Sequence, residues 1–403
     1  MKSILLIIPY GSVGGMERLA LNFYNFYKGK GYKVKTIKFI KLPTDLINFN
    51  EDEYYFSSKD FFELSFLKRF LFYLKAPLKI RNIIKSENIS HSISFGDMAN
   101  VFSSLSFTNE FKVASIHALK SVEFMNKNML NTIFKWSLKT SYQYFSKVVC
   151  ISQGIKEDLI ENCGYPFNNL DVIYNPHDIK NIQELSFAPI TETSEIKIFS
   201  KPCILFLGRL SIQKAPWHLL NAFYMLKEDN VNLVFIGDGD LSVIKYLNKL
   251  IKRYNLSHQV FFLGRKNNPY KYIKNSKVLA LSSYYEGTPN VIVESIALNV
   301  PVVTTNCTKG ILELMSIKKI KVVNKLTITE SGIVTPNIFK GILNIPKDSE
   351  LIDYKFEEEE LAKALNYILI NEEVITNTIY KNYDKLLSKY DLNTVTTAYL
   401  KKP

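Results

Sequence analysis

Val278-Leu279-Ala280-Leu281-Ser282-Ser283-Tyr284-Tyr285-Glu286-Gly287-Thr288-Pro289-Asn290-Val291-Ile292-Val293-Glu294 runs from an apolar strand through a Gly-Thr-Pro-Asn turn into an apolar helix. The run Val278–Leu281 predicts a buried strand, and the helix is expected from near Asn290. The backbone amides of Gly287 to Ile292 then form a helix N-terminus, which favours an anion such as a diphosphate. Glu286 lies on the loop and Glu294 about one turn into the helix. Carboxylates accept hydrogen bonds from sugar hydroxyls, so two of them beside an amide nest suit a ligand with hydroxyls on either side of phosphates. The alternative is that both glutamates only offset the helix dipole from solvent; the strand–turn–helix setting favours the ligand.

Outward from this stretch, short apolar runs alternate with segments of helical period. In the second half, strands are expected at Cys203–Leu207, Leu233–Ile236, Val260–Leu263 and after Pro301, with helices at Trp217–Leu226 and Val291–Leu298. In the first half, strands are expected at Ile4–Ile8, Lys33–Ile40, Ile93–Phe95, Val113–Ile116 and Val148–Ile151, with a helix over Met16–Tyr27. Strands separated by helices imply parallel sheets with right-handed crossovers. The polar stretch 188–194 reads as a linker, so the fold class is α/β, two open Rossmann-like domains facing a cleft. Ligand groups are then expected beyond the carboxyl ends of the strands.

At 403 residues the chain suits two domains, and 47% hydrophobic with 22% charged residues excludes disorder or a coiled coil as a whole-chain description. Cys150, Cys163, Cys203 and Cys307 are scattered without metal-ligand spacing and suit a reducing compartment. The net charge is +13, of which +10 falls in residues 1–150. A basic, aromatic-rich first part suggests an anionic partner. Nucleic acid is disfavoured because no recognised binding motif accompanies the charge. The opening apolar run is short and lacks a cleavage site, so it reads as a strand, and a cytoplasmic protein is expected. Phe61 to Arg81 mixes bulky apolar residues with Lys and Arg, and Phe124 to Lys147 has a similar flavour. Both segments fit either a membrane interface or core-facing helices with a basic outer side.

Several motifs together resemble retaining glycosyltransferases of family 4 (glycosyl transferases group 1), which have the GT-B fold. The Glu286-x7-Glu294 element with Gly287, Pro289 and Asn290 resembles the family signature, as does Gly208-Arg209-Leu210 with Lys214. Gly237-Asp238-Gly239 is similar to the family's Gly-x-Gly turn and Phe262-Leu263-Gly264 to its next strand end. In the first half, Gly14-Gly15-Met16-Glu17, Ile151-Ser152 with Lys156, and Asn175-Pro176 resemble further family elements.

This resemblance implies residues 1–185 as acceptor-side domain, 186–375 as nucleotide-sugar domain, and 376–403 as a helical tail packing back on the first. Glu294 is then expected on the ribose, Glu286 on the donor sugar, and Arg209 and Lys214 on the diphosphate. Gly287, Thr288, Pro289, Asn290, Val291 and Gly264 are expected to line the donor site, with Gly14 and Gly15 approaching it from the other domain. For Arg209 and Lys214 a solvated surface pair is the alternative, and for the two glycines a plain turn. His117, after an expected strand, resembles the family's histidine near the reacting sugar, although a lone histidine is often structural. Asn100 is expected on the acceptor side.

Asp238-Gly239-Asp240 is an Asp-x-Asp, but two carboxylates alone make a sparse Mg²⁺ site, and no cofactor or metal is expected. Asn306-Cys307-Thr308-Lys309 departs from the usual Gly-Pro-x-Glu run, with Glu313 in a comparable place. The implied function is transfer of a hexose or N-acetylhexosamine from a nucleotide sugar, UDP-linked by expectation. The implied acceptor is a lipid-linked glycan of capsule, O-antigen or lipopolysaccharide synthesis, met at the inner membrane's cytoplasmic surface. A non-catalytic scaffold, or an epimerase or hydrolase on the same fold, are the alternatives.

Overall fold

The computed structural model describes residues 2–11, 15–45, 47–318, 320, 324–346 and 355–402. They form two compact units: residues 1–177 with 390–403, and residues 178–389.

The first unit is built on β1 (Ser3–Ile8), β2 (Lys33–Ile40), β3 (Glu53–Ser57), β4 (His91–Phe95), β5 (Phe111–Ile116), β6 (Lys147–Cys150) and β7 (Leu170–Val172). Their order is β3-β2-β1-β4-β5-β6-β7 and every pairing is parallel. β1 is apolar from Ile4 to Ile8 because the sheet is covered on both faces. Successive side chains alternate between them. Ile4, Leu6 and Ile8 join Phe23, Tyr27 and Tyr399 in one core cluster. Leu5 and Ile7 join Ile37, Phe39, Ile80 and Phe102 in the other.

The second unit repeats the plan with β8 (Cys203–Leu207), β9 (Asn232–Ile236), β10 (Val260–Phe262), β11 (Val278–Leu281), β12 (Val302–Thr305), β13 (Thr327–Thr329) and β14 (Gly332–Thr335). The order is β10-β9-β8-β11-β12-β14-β13, parallel except for the antiparallel β13–β14 edge. The strands expected from the sequence are present within a few residues of their expected ends. The short or half-buried β3, β7, β13 and β14 are additional.

The boundaries differ from those expected at 185/186 and 375/376: the units divide at His177/Asp178 and again at Lys389/Tyr390. The polar stretch 188–194 is not a free linker. It leads into the helix Thr193–Phe199, whose Glu195 is buried against Lys266 (2.5 Å) and the Tyr272 hydroxyl (2.7 Å). A buried carboxylate held by two donors ties the segment into the second unit. At the other end, helices Lys355–Lys381 and Tyr383–Leu387 also belong to the second unit, while helix Leu392–Tyr399 joins the first. There Tyr27 donates to the Thr396 carbonyl at 2.8 Å, and the Tyr399 and Ser115 hydroxyls are 3.0 Å apart. Among the described residues, no helix is long and apolar enough to cross a membrane.

Candidate functional site

In each sheet the strand order reverses beside the first strand. In the second unit β8 lies between β9 and β11, so the chains leaving β8 and β11 depart to opposite sides and leave a crevice. Three loops meet at that reversal. The one after β8 is laced to the one after β9: Gly208 N donates to the Ile236 carbonyl (3.0 Å), Leu210 N to Asp238 O (2.8 Å) and Asp240 N to Leu210 O (2.9 Å). Only glycine allows this approach. A Cβ on Gly237 would lie 2.1 Å from the Gly208 carbonyl oxygen, and φ there is +140°.

The loop after β8 is also tied to the one after β11. Tyr284 N donates to Gln213 O (2.8 Å), Gln213 Nε2 to Tyr285 O (3.1 Å) and Ser282 Oγ to Ala215 O (2.9 Å). These bonds bring together two of the residues singled out in the sequence: Lys214 Nζ forms an ion pair with Glu286 Oε1, and Ser283 Oγ donates to the same oxygen at 2.8 Å. The Lys214 side chain is 17% exposed and that of Glu286 9%, so the pair is shielded yet reachable. Water screens such a pair poorly.

Next to it, the helix Asn290–Ala297 starts after Pro289 with Glu294 buried in its second turn. Gly287 and Pro289 are buried, and Thr288, Asn290 and Val291 half-buried. Thr288 Oγ1 is enclosed and makes no hydrogen bond among the described residues. The same holds for Asn306 Oδ1 and Thr335 Oγ1 on neighbouring strand ends, joined to the site by Asn306 N to Thr335 O (2.8 Å) and Thr305 Oγ1 to Ser283 O (2.9 Å). Buried polar atoms nearly always find a partner, so three without one at a single sheet edge fit a polar ligand. Cys307 lies within the field of Glu286 and Lys214. Burial first, then the Glu286 charge, pushes its thiol far above the usual range, so it is not a nucleophile.

Arg209 is exposed at the same end of the sheet. Gly264 accepts from Gly237 N at 2.9 Å and adopts φ +62°, so it shapes the β10 exit through its backbone. Asp238 and Asp240 are both exposed, and Asp238 lies 3.9 Å from Arg265. Among the described residues, no group of three or more His, Cys, Asp or Glu could hold a metal ion.

A supporting network escaped the sequence reading. Tyr284 packs under the loop and its hydroxyl lies 3.0 Å from His218 Nε2. His218 Nδ1 is 2.7 Å from Glu358 Oε1, which also accepts from Asn221 Nδ2 at 2.8 Å. Burial lowers the His218 pKa against the opposing pull of Glu358. No local pattern announces this contact, because Glu358 is 140 residues from His218.

In the first unit, His117 follows β5, with its ring centroid 6.1 Å from that of Phe95. Its Nε2 is enclosed without a hydrogen bond among the described residues. Burial, then the nearby Lys120 charge, pushes its pKa down to about 3, so the ring is neutral at neutral pH. Lys120 stays charged despite its burial because Asp97 (2.8 Å) and Glu123 (2.6 Å) hold it. Gly15 begins the helix Gly15–Gly29, and Gly14 lies outside the described residues.

Asn100 requires a correction. It is fully buried, accepting from Ser94 Oγ (2.7 Å) and donating to Ser115 O (3.2 Å). Its amide joins its helix to β4 and β5, and its complete burial leaves no surface to an acceptor.

Residues 13–181 match the family described as Glycosyltransferase Family 4, and residues 191–328 match Glycosyl transferases group 1. An uncharacterised glycosyltransferase of Methanocaldococcus jannaschii is 29% identical over 60% of this chain and 62% of its own length. The N-acetylgalactosamine-N,N'-diacetylbacillosaminyl-diphospho-undecaprenol 4-alpha-N-acetylgalactosaminyltransferase of Campylobacter jejuni is 28% identical over 75% of this chain and 80% of its own. Among solved structures, Anabaena HepE in complex with UDP and glucose superposes with a TM-score of 0.72 at 18% identity, over 99% of this chain and 98% of that one.

Proposed function

The chain belongs to glycosyltransferase family 4, with the GT-B fold, and on that premise we propose that it is a retaining transferase moving a hexose or N-acetylhexosamine from a UDP-linked donor to a lipid-linked glycan. The observation that carries this reading is the shielded Lys214–Glu286 pair at the strand-order reversal of the second sheet. The Campylobacter relative, named for a diphospho-undecaprenol acceptor, supports the lipid-linked glycan and a role in surface polysaccharide synthesis. The UDP bound by the Anabaena protein supports the donor.

In this reading the backbone N–H groups of Gly287, Thr288, Asn290 and Val291 and the Thr288 hydroxyl receive the diphosphate, and Lys214 and Arg209 stabilise the charge it gains on departure. Glu294 accepts from ribose hydroxyls and Glu286 from the sugar. On the first unit, neutral His117 is proposed as a hydrogen-bonding partner for a substrate hydroxyl. The bond from the anomeric carbon to the donor phosphate oxygen breaks as the acceptor oxygen bonds to that carbon from the same face. The acceptor proton passes to the departing phosphate. The two cations supply the positive charge the step needs, so the reaction is proposed to run without a metal.

The test combines ligand-induced stabilisation with turnover. UDP and one UDP-sugar are expected to raise the melting temperature, since a ligand bound only to the native state must stabilise it. Lys214→Ala and Glu286→Ala are each expected to lower transfer by about a hundredfold or more while keeping the melting profile. Wild-type turnover in either variant would refute the assignment. Donor consumption without any acceptor would identify an epimerase or hydrolase, and the absence of any shift would point to a scaffold.

A further inference from the structure

Tyr284 stands between Ser283, whose hydroxyl bonds Glu286, and Glu286 itself two residues on. We propose that Glu358 and His218 are positioning residues for Glu286: together they hold Tyr284, and through it the loop that presents this carboxylate to the donor sugar. The inference rests on the donor site proposed above. Loops that leave a strand end are ordinarily the mobile part of a fold. This one is fastened at a ring. The Tyr284 side chain is buried, with centroids 5.4 Å from Phe339, 5.5 Å from His218 and 6.0 Å from Trp217. Its N–H donates to Gln213 O at 2.8 Å, and its hydroxyl lies 3.0 Å from His218 Nε2. A shift of this ring would therefore move Ser283 and Glu286 with it.

Apolar side chains would fill this space at a smaller desolvation cost, and buried polar groups in series are weak evidence for stability alone. What they add is direction. His218 lies on the helix Pro216–Leu226 and Glu358 at the start of the helix Lys355–Lys381, both buried. Glu358 Oε1 accepts from Asn221 Nδ2 at 2.8 Å and faces His218 Nδ1 at 2.7 Å. Burial lowers the His218 pKa, so the ring is neutral at neutral pH. The carboxylate then draws the single ring proton to Nδ1 and leaves Nε2 to accept from the Tyr284 hydroxyl. Each member fixes the orientation of the next. The same helical turn also reaches the face of the ring, because Glu357 pairs with Lys340, the neighbour of Phe339. One turn of one helix thus grips Tyr284 at its hydroxyl and at its ring.

The test removes single atoms or charges from the full chain. Tyr284→Phe keeps the ring and deletes one oxygen, and Glu358→Gln keeps the shape and deletes the charge. Each is expected to lower kcat for transfer by about tenfold or more, as misplacement of a substrate-holding group does. The donor KM should stay within about twofold, and UDP should still raise the melting temperature as in the wild type. The variant carrying both changes should be no slower than Tyr284→Phe alone, because Glu358 acts through that hydroxyl. Wild-type kcat in Tyr284→Phe, or losses that simply multiply, would overturn the proposal. A purely structural role would lower the melting temperature and leave kcat of the folded protein unchanged. A second readout needs no substrate. Nitrogen NMR spectra of the histidine rings in the ligand-free chain, with His218→Gln identifying the signal, should show the His218 proton on Nδ1 and Nε2 bare. A proton on Nε2 at neutral pH would also overturn it. Failure of UDP to stabilise the wild type would instead refute the transferase reading, and the spectrum would still decide whether His218 links Glu358 to Tyr284.

Discussion

Gly237 shows how much of the site depends on the absence of a side chain. Its neighbours are backbone atoms of the β8 exit, which cannot rotate away as a side-chain tip can. Gly237→Ala therefore forces the loops after β8 and β9 apart, at an expected cost of about 1–3 kcal/mol. A urea midpoint equal to wild type would contradict this account. The loop after β8 carries Lys214, so the variant should also lose UDP-induced stabilisation. At this scale the sequence was informative where chemistry is tied to a turn. Glu286 and Lys214 stand out because each follows an apolar strand, and they meet although 72 residues separate them. It was uninformative for Asn100, because the same amide serves a ligand or two backbone strands equally well, and only burial decides.

His177 matters through the element it ends. It lies where the chain leaves the first unit, with its N–H donating to the Tyr390 carbonyl at 2.9 Å and its ring packed on that tyrosine. Burial pushes its pKa down to about 4. A histidine depressed in the folded state is protonated more readily when unfolded, so stability is full above about pH 6.5 and is lost as pH falls toward 4. Between pH 6.5 and 5 His177 alone should remove about 2 kcal/mol, and His117, lowered in the same sense, adds to the loss. Denaturant titrations at several pH values should show this slope, and His177→Phe should flatten it. A pH-independent midpoint would rule it out. The elements themselves were legible where strands are buried on both faces, since Ile4–Ile8 of β1, β8 and β11 are unbroken apolar runs. Strand β3 reads Glu-Tyr-Tyr-Phe-Ser, half-buried at a sheet edge, and gives no such signal. The stretch 188–194 misled for the opposite reason: its polarity suggests a linker, while the buried ion pair of Glu195 lies just beyond it.

On the scale of the whole molecule, the first unit is assembled from two distant pieces of chain. Helix Leu392–Tyr399 supplies Val395, Tyr399 and Leu400 to the cluster around Phe23 and Tyr27. Lys147 Nζ also donates to the Ala398 carbonyl at 3.1 Å. Ending the chain at Lys389 removes the buried Val395, Tyr399 and Leu400 together with the buried Tyr390 and Thr396, and the large apolar side chains among them are worth about 1.5–3 kcal/mol each, comparable to the entire margin of a domain. The truncated chain should lose cooperative unfolding of the first unit, read by Trp136 fluorescence, while Trp217 reports a second unit that still melts. Preserved melting at Trp136 would show that the helix is dispensable.

The same feature has a consequence for biogenesis. On the ribosome the first 177 residues emerge without the strap that completes them, and roughly 210 more must be made before it appears. At about 5–20 residues per second, the half-made unit waits ten seconds or longer with part of its interior uncovered. The portion translated later can therefore mature sooner, and the oldest part of the nascent polypeptide is a natural client for chaperones until the residues from Tyr390 onward have been made.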